Sequence, residues 1–155
     1  MIDHILVPVD GSALAECVLP HAATMARAFE ARITVLRVVE REPNGEGGRA
    51  VDPLNWHIRR AEAEAYVDEV VSRLQEIDLR TEKVLLEGSA AERIVAFAHN
   101  EGVDLIVISS HGQSGLSRWN INSVVQKVIL RAFLPTLIVR AYQPVPAELT
   151  ELHYN

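Results

Sequence analysis

Five short apolar runs, separated by four stretches of helical periodicity, constrain the fold of this 155-residue chain more than any other feature of its sequence. The runs are residues 5–9, 33–39, 83–86, 105–108 and 136–139. The first, fourth and fifth are nearly continuous in Val, Ile and Leu, as in strands that are covered on both faces. Strands that alternate with helices predict a single-domain α/β fold, a doubly wound five-stranded parallel sheet with helices on both faces.

Caps and apolar faces place the helices between these strands. Ser12 is the expected N-cap of the first helix, in which Pro20 predicts a kink or a late start. Ser89 and Glu92 have the spacing of a capping box at the start of the third helix. The predicted helices span residues 13–29, 55–77, 89–101 and 123–132.

Composition and charge exclude several classes of partner. The net charge is −6 and the basic residues are scattered, whereas proteins that bind nucleic acid show a basic face. No apolar run approaches the ~20 residues that span a bilayer, so we expect no membrane partner. Cys17 is the single cysteine and no signal segment is recognised, which favours a cytoplasmic location. No His or Cys spacing suggests a protein-bound metal site.

Two strand ends carry residues that suit a ligand site. In open parallel sheets, ligands bind beyond the carboxyl ends of strands, where the strand order reverses. The first strand is followed by Asp10, whose carboxylate would accept hydrogen bonds from a ligand's hydroxyls or contact its ring nitrogens. Asp10 equally fits a residue that caps the first helix or fixes the turn through its own backbone.

The loop after the fourth strand contains Gly112 and Gly115 among small polar residues. Glycines let backbone N–H groups approach an anion, and the helix that starts at Ser123 offers further free N–H groups. The alternative is a glycine-containing turn followed by an N-cap. We expect Gly112 to allow close approach of the anion and to adopt a positive φ, and the β-branched side chain of Gly112→Val would oppose both. His111 fits a structural role in the loop better than a catalytic one, because no acidic or second imidazole group stands beside it in the sequence.

Several segments together resemble the universal stress protein family. They are Val7-Pro8-Val9-Asp10-Gly11-Ser12, Ser110-His111-Gly112-Gln113-Ser114-Gly115-Leu116-Ser117-Arg118-Trp119, Asn122-Ser123-Val124 and the last strand. The resemblance covers residues 1–141 and leaves 142–155 as a C-terminal tail. The glycine motif of ATP-binding members maps onto Ser109, Gly112, Asn122 and Ser123. Ser109 and Asn122 therefore replace family glycines, and Asn122 puts a side chain where the family's backbone meets phosphate.

The resemblance implies an adenine-nucleotide site. The ligand would be ATP, or ADP or AMP, with Mg²⁺ or Mn²⁺ bridging the phosphates. By this resemblance the site comprises Pro8, Val9, Asp10, Val38, Ser109, Ser110, His111, Gly112, Gln113, Ser114, Gly115, Asn122, Ser123, Val124 and Val125. The first three residues would line the adenosine end, Val38 the adenine ring, and the remainder the phosphates.

The chain lacks the motifs of other nucleotide enzymes. It has neither the Gly-x-x-x-x-Gly-Lys-Ser/Thr run of P-loop proteins nor the Gly-x-Gly-x-x-Gly of dehydrogenases. Together with this absence, the resemblance implies a stress-response regulatory protein that binds ATP and hydrolyses it little or not at all. The alternatives are a non-nucleotide interaction module of the same fold and a slow ATP hydrolase.

The predicted strand order is 3-2-1-4-5, which makes the fifth strand an edge. Its run Thr136-Leu137-Ile138-Val139 is apolar, and a bare apolar edge strand invites pairing with another chain. We therefore expect a homodimer that forms through the last strand across a two-fold axis.

Overall fold

The computed structural model of the chain describes residues 1–40, 52–112 and 122–141, and its sheet is the predicted one. All strand pairs are parallel and the order is β3-β2-β1-β4-β5, which confirms the fold class and the strand order. The strands are β1 His4–Val9, β2 Arg32–Val39, β3 Thr81–Glu87, β4 Leu105–Ser109 and β5 Thr136–Val139. The proposed tail, residues 142–155, lies outside the described residues.

The helices are α1 Leu19–Phe29, α2 Pro53–Glu76, α3 Ala90–Asn100 and α4 Ser123–Ala132. Helix α1 starts later than residue 13, with Pro20 in its first turn and a short 3₁₀ turn before it. Proline is tolerated in the first turn, where its missing N–H has no partner to lose. Ser12 instead caps that preceding turn, since its Oγ accepts a hydrogen bond from Ala15 N at 3.1 Å.

The capping box predicted at the start of α3 is wrong. Ser89 is the N-cap residue, but its side chain makes no capping hydrogen bond. The carboxylate of Glu40, just beyond β2, accepts from Ala90 N at 3.0 Å instead. A residue distant in sequence therefore caps this helix, and local spacing does not reveal it.

Two apolar cores cover the faces of the sheet, one for each pair of helices. On one face, α1 and α2 cover odd-numbered strand residues such as Ile5, Val7 and Val35. On the other face, α3 and α4 cover Leu6, Leu36 and further residues of β4. A continuous apolar strand thus serves both cores, as period-two alternation requires.

The strand order places a crevice between β1 and β4. β1 is the central strand, and it pairs with β2 on one side and with β4 on the other. The chain leaves β1 and β4 toward opposite faces of the sheet, which opens a crevice at the carboxyl ends of these two strands. This is the switch point at which doubly wound sheets bind ligands.

Candidate functional site

A narrow cavity of about 90 Å³ lies at the switch point. Its walls are mainly aliphatic, from β2, α3, β4 and α4, and its polar rim carries Asp10, Ser109, His111 and Asn122. The lining residues are Pro8, Val9, Asp10, Ala15, Leu36, Val38, Ala90, Ile94, Ile108, Ser109, His111, Gly112, Asn122, Val124 and Val125. An apolar slot with a few converging polar groups is the usual form of a small-molecule site.

The loops after β1 and β4 approach closely at Asp10 and Gly112. One carboxylate oxygen of Asp10, Oδ1, accepts hydrogen bonds from Ser12 N at 2.9 Å and from Ser12 Oγ at 2.6 Å. The other oxygen lies only 2.0 Å from where a Cβ on Gly112 would stand. Asp10 thus fixes the turn after β1, one of the two roles its position suggested, and it also lines the cavity.

Gly112 does not have the positive φ expected of it. Its backbone is one that any residue adopts, so the need for glycine is steric. The missing Cβ leaves room for the Asp10 carboxylate, and this contact joins the two loops. Gly112→Val would therefore disturb Asp10 whether or not a phosphate binds nearby.

The hydroxyls of Ser109 and Ser110 are engaged within the protein. Ser109 Oγ is 2.7 Å from His111 O and 3.1 Å from Leu14 O. Ser110 Oγ accepts from Ala141 N at 3.0 Å, beyond the end of β5. Both serines are buried, so each holds the end of β4 in place.

His111 is held by the serine that precedes it. Its Nδ1 lies 2.8 Å from Ser110 Oγ, and the residue is buried at the edge of the cavity. Ser110 Oγ also accepts from Ala141 N, so one hydroxyl joins the imidazole ring to the end of β5. The contact supports the positioning role expected for this histidine.

Asn122 is the N-cap of α4. Its Oδ1 accepts from Val124 N at 2.8 Å, and its own backbone N–H donates to Ser110 O at 2.9 Å. The start of α4 is thereby tied to the end of β4, with Asn122, Val124 and Val125 against the cavity. Ser123, the first residue of α4, is exposed.

The structure brings most of the predicted site residues to one cavity. Lining it are Pro8, Val9, Asp10, Val38, Ser109, His111, Gly112, Asn122, Val124 and Val125. Ser110 and Ser123 lie beside it without lining it, and Gln113, Ser114 and Gly115 are outside the described residues. Sequence reasoning missed Ala15, Leu36, Ala90, Ile94 and Ile108. The alternation of β2 could have indicated Leu36, since it shares a face with Val38.

A wider cavity of about 540 Å³ adjoins the narrow one. The two share Asp10, Val38, Ala90, Asn122 and Val124. The wider cavity continues toward α2, where charged residues that the motif analysis did not select line it: Arg37, Glu40, Arg59 and Glu62.

Neither a metal cluster nor a membrane span is found in the described ranges. No group of three or more His, Cys, Asp or Glu side chains there is arranged to hold a metal ion. No helix in those same ranges is long and apolar enough to cross a bilayer.

The fold and the crevice define a class of doubly wound α/β proteins with a cavity at the switch point. Within that class, the sequence profile of the Universal stress protein family matches residues 1–140. The chain belongs to this family.

Individual relatives agree with this assignment. Universal stress protein MJ0531 of Methanocaldococcus jannaschii is 31% identical over 137 residues, which cover 88% of this chain and 81% of the relative. The solved structure of MJ0577, from the same organism, superposes with a TM-score of 0.80 at 26% identity and covers 93% of this chain and 99% of its own. The structure of a universal stress protein from Archaeoglobus fulgidus in complex with dAMP has a TM-score of 0.64 at 26% identity, covering 89% and 97%.

Proposed function

We propose that this protein is a stress-response regulatory protein that binds an adenine nucleotide, ATP or its products ADP and AMP. The observation that carries the proposal is the aliphatic slot at the switch point, with Asp10 on one side and the start of α4 on the other. The dAMP complex of the Archaeoglobus fulgidus relative supports an adenine nucleotide as the ligand class.

The lining suggests how the nucleotide lies. The base fits between Val38 and Ile108, where aliphatic side chains replace water on its faces. The Asp10 carboxylate, which lines the cavity, would accept from ribose hydroxyls. The phosphates would extend toward residues 109–112 and the start of α4, where backbone N–H groups and the helix dipole favour anions. Mg²⁺ or Mn²⁺ would bridge phosphate oxygens there.

The same lining favours binding without rapid hydrolysis. Among the described lining residues, Asp10 and His111 are the side chains suited to proton transfer. Asp10 is held by Ser12 and His111 by Ser110, so both already support the loops. We therefore expect ATP to remain intact over many binding events, with slow hydrolysis as the upper limit.

Calorimetric titration with ATP and Mg²⁺ tests this proposal. Val38→Phe fills the slot and should abolish the binding heat of the parent protein. Val84→Phe is the matched control, because Val84 is also a half-buried valine on the same core but does not line the cavity. Binding that survives Val38→Phe, or that both variants lose equally while folded, would refute the assignment of the slot.

A non-nucleotide interaction module remains the second candidate, and Asn122 is the observation that favours it. Its Oδ1 occupies Val124 N–H, a donor that a glycine at this position would leave for a phosphate oxygen. The titration of the parent protein separates the two candidates, because an interaction module would give no binding heat.

We also propose that the protein is a homodimer that pairs through β5. Among the described strands, β5 pairs with β4 alone and so forms an edge. Shortly before β5 in the chain, the end of α4 exposes Leu130 (72%) and Phe133 (89%), which is unusual for side chains this apolar. A second copy related by a two-fold axis would cover both the edge and these side chains. Light scattering at micromolar concentration should give a dimer mass, and a monomer would refute this proposal.

A further inference from the structure

Arg37 lies in β2, near the point where the sheet separates the narrow cavity from the wider one. It pairs with Val9 in β1 and with Leu85 in β3. Because neighbouring strand residues point to opposite faces, Val38 faces the narrow cavity while Arg37 faces α2. Arg37 therefore lines the wider cavity but not the narrow one, at the carboxyl end of the sheet.

The guanidinium of Arg37 is incompletely satisfied. Its Nε and Nη1 are buried and have no hydrogen-bond acceptor in the part of the chain that the structure describes. Nη1 packs on the backbone of Gly11, only 2.7 Å from where a Cβ would stand. Native proteins rarely bury donors of a charged group without an acceptor, because each such donor loses its water without replacement.

The neighbouring charges do not replace the missing acceptor. Burial lowers the pKa of Arg37 and the Asp10 carboxylate raises it, so Asp10 acts on the guanidinium through its charge. One oxygen of Asp10 is already engaged by Ser12. Another acid of the cavity, Glu40, directs its carboxylate at the start of α3. A guanidinium stays protonated in proteins, so Arg37 retains its positive charge, and the described residues offer no acceptor to its Nε and Nη1.

The phenol of Tyr66 lies on the same side of the wider cavity. The Glu16 carboxylate acts on this hydroxyl both through its charge and as a hydrogen-bond acceptor, although the contact does not reach full hydrogen-bonding geometry. Burial, and then Glu16, raise the pKa of Tyr66, so the phenol remains a neutral donor. Arg37 and Tyr66 thus both line the wider cavity, but Tyr66 has a partial acceptor in Glu16, whereas Nε and Nη1 of Arg37 have none among the described residues.

We propose that the wider cavity is an oxyanion site, in which Arg37 is the counter-charge for a phosphate group of the nucleotide whose base occupies the narrow cavity. Guanidinium groups match the geometry of phosphate oxygens and favour phosphate recognition. Because the two cavities share Asp10, Val38 and Asn122, one ligand can extend through both. The phosphate belongs either to the 5′ chain or to a 2′ or 3′ hydroxyl of the ribose. This inference rests on the proposed function for the position of the base.

Inorganic phosphate tests the oxyanion site without a nucleotide. At about ten times its dissociation constant, phosphate should raise the melting temperature of the parent by roughly 3 °C relative to chloride at equal ionic strength. Arg37→Met should lose that rise, and Arg37→Lys should regain part of it. Arg32→Met is the matched control, because Arg32 lies at the opposite end of β2, where it pairs with Glu82. An equal rise in the parent and in Arg37→Met would overturn the site.

Nucleotide affinities distinguish the two sources of the phosphate. If a ribose phosphate fills the site, adenosine 3′,5′-bisphosphate or its 2′,5′ isomer should bind the parent roughly tenfold tighter than AMP. If the 5′ chain fills it, ATP should show that advantage instead. Arg37→Met should remove whichever of these two advantages the parent shows. If the affinity of the bisphosphate or of ATP relative to AMP is the same in this variant as in the parent, the inference is contradicted. If no nucleotide binds the parent, the proposed function fails, and the phosphate experiment alone decides whether Arg37 holds an oxyanion.

Discussion

Gly112→Ala is the change that most directly tests how the two loops of the site are joined. An alanine Cβ would stand 2.0 Å from the nearer oxygen of Asp10, so the carboxylate must move by more than about 1 Å to restore van der Waals contact. That movement breaks at least one of the hydrogen bonds from Ser12, which lie at 2.9 and 2.6 Å.

The magnitude follows from these contacts. A hydrogen bond to a charged group contributes about 1.5–3 kcal/mol to stability. Replacing glycine by alanine at an unstrained φ also stabilises the protein by about 0.4–1 kcal/mol, because alanine lowers the conformational entropy of the unfolded chain. We therefore expect Gly112→Ala to lower the free energy of unfolding by about 1–2 kcal/mol, measured as a shift of the urea midpoint with an unchanged slope.

A double-mutant cycle separates this contact from other effects. In an Asp10→Ala background the carboxylate is absent, so Gly112→Ala should be neutral or slightly stabilising. The coupling between the two changes should then be about 1–2 kcal/mol. Gly102→Ala is the control, because Gly102 has a φ of +62° and open space around its Cβ position. It should cost about 1 kcal/mol in both backgrounds. If Gly112→Ala costs the same with and without the Asp10 carboxylate, the reasoning is refuted.

Three further predictions concern other parts of the molecule. Burial, and then the charge of Arg32, lower the pKa of His4 below 6.5, so the unfolded chain takes up this proton first as the pH falls. The contribution of neutral His4 to stability should be complete above pH 6.5 and lost as the pH falls through the folded pKa. The free energy of unfolding measured in urea should therefore depend less on pH in His4→Gln than in the parent protein. Asn122→Gly should cost only a few tenths of a kcal/mol, since glycine is a tolerated N-cap, yet tighten ATP binding because Val124 N–H is freed; weaker binding by titration would instead assign the amide to the phosphates. Leu130→Lys should give a monomer in light scattering if α4 and β5 form the dimer interface, and an unchanged mass would exclude that surface.

The sequence predicts the fold well because each strand and helix has a local signal. The five apolar runs match the strands to within about two residues, and α4 begins at Ser123 as its cap indicates. Contacts between distant residues are what local patterns miss. Glu40 caps α3 from the end of β2, and the closeness of Gly112 to Asp10 depends on two loops that only the sheet brings together.

The candidate site shows the same limit. The loop motifs identify its rim, including Asp10 and Asn122, because ligand chemistry requires polar groups and glycines there. They do not identify walls such as Ile94, which looks like any core residue of a helix until the crevice is formed. Arg37 has no motif at all, and its unsatisfied donors emerge only from packing.

Amide chemical shifts during a titration with ATP and Mg²⁺ test the central claim most directly, because they report where the ligand lies. The account predicts that the largest changes fall on Val38, Ile94, Ile108 and Val125, which surround the slot. Asp104, which accepts from the backbone of β1 at the other end of the sheet, should stay unchanged. Changes centred at that other end, or no change at millimolar ATP, would contradict the assignment of an adenine-nucleotide site at the switch point.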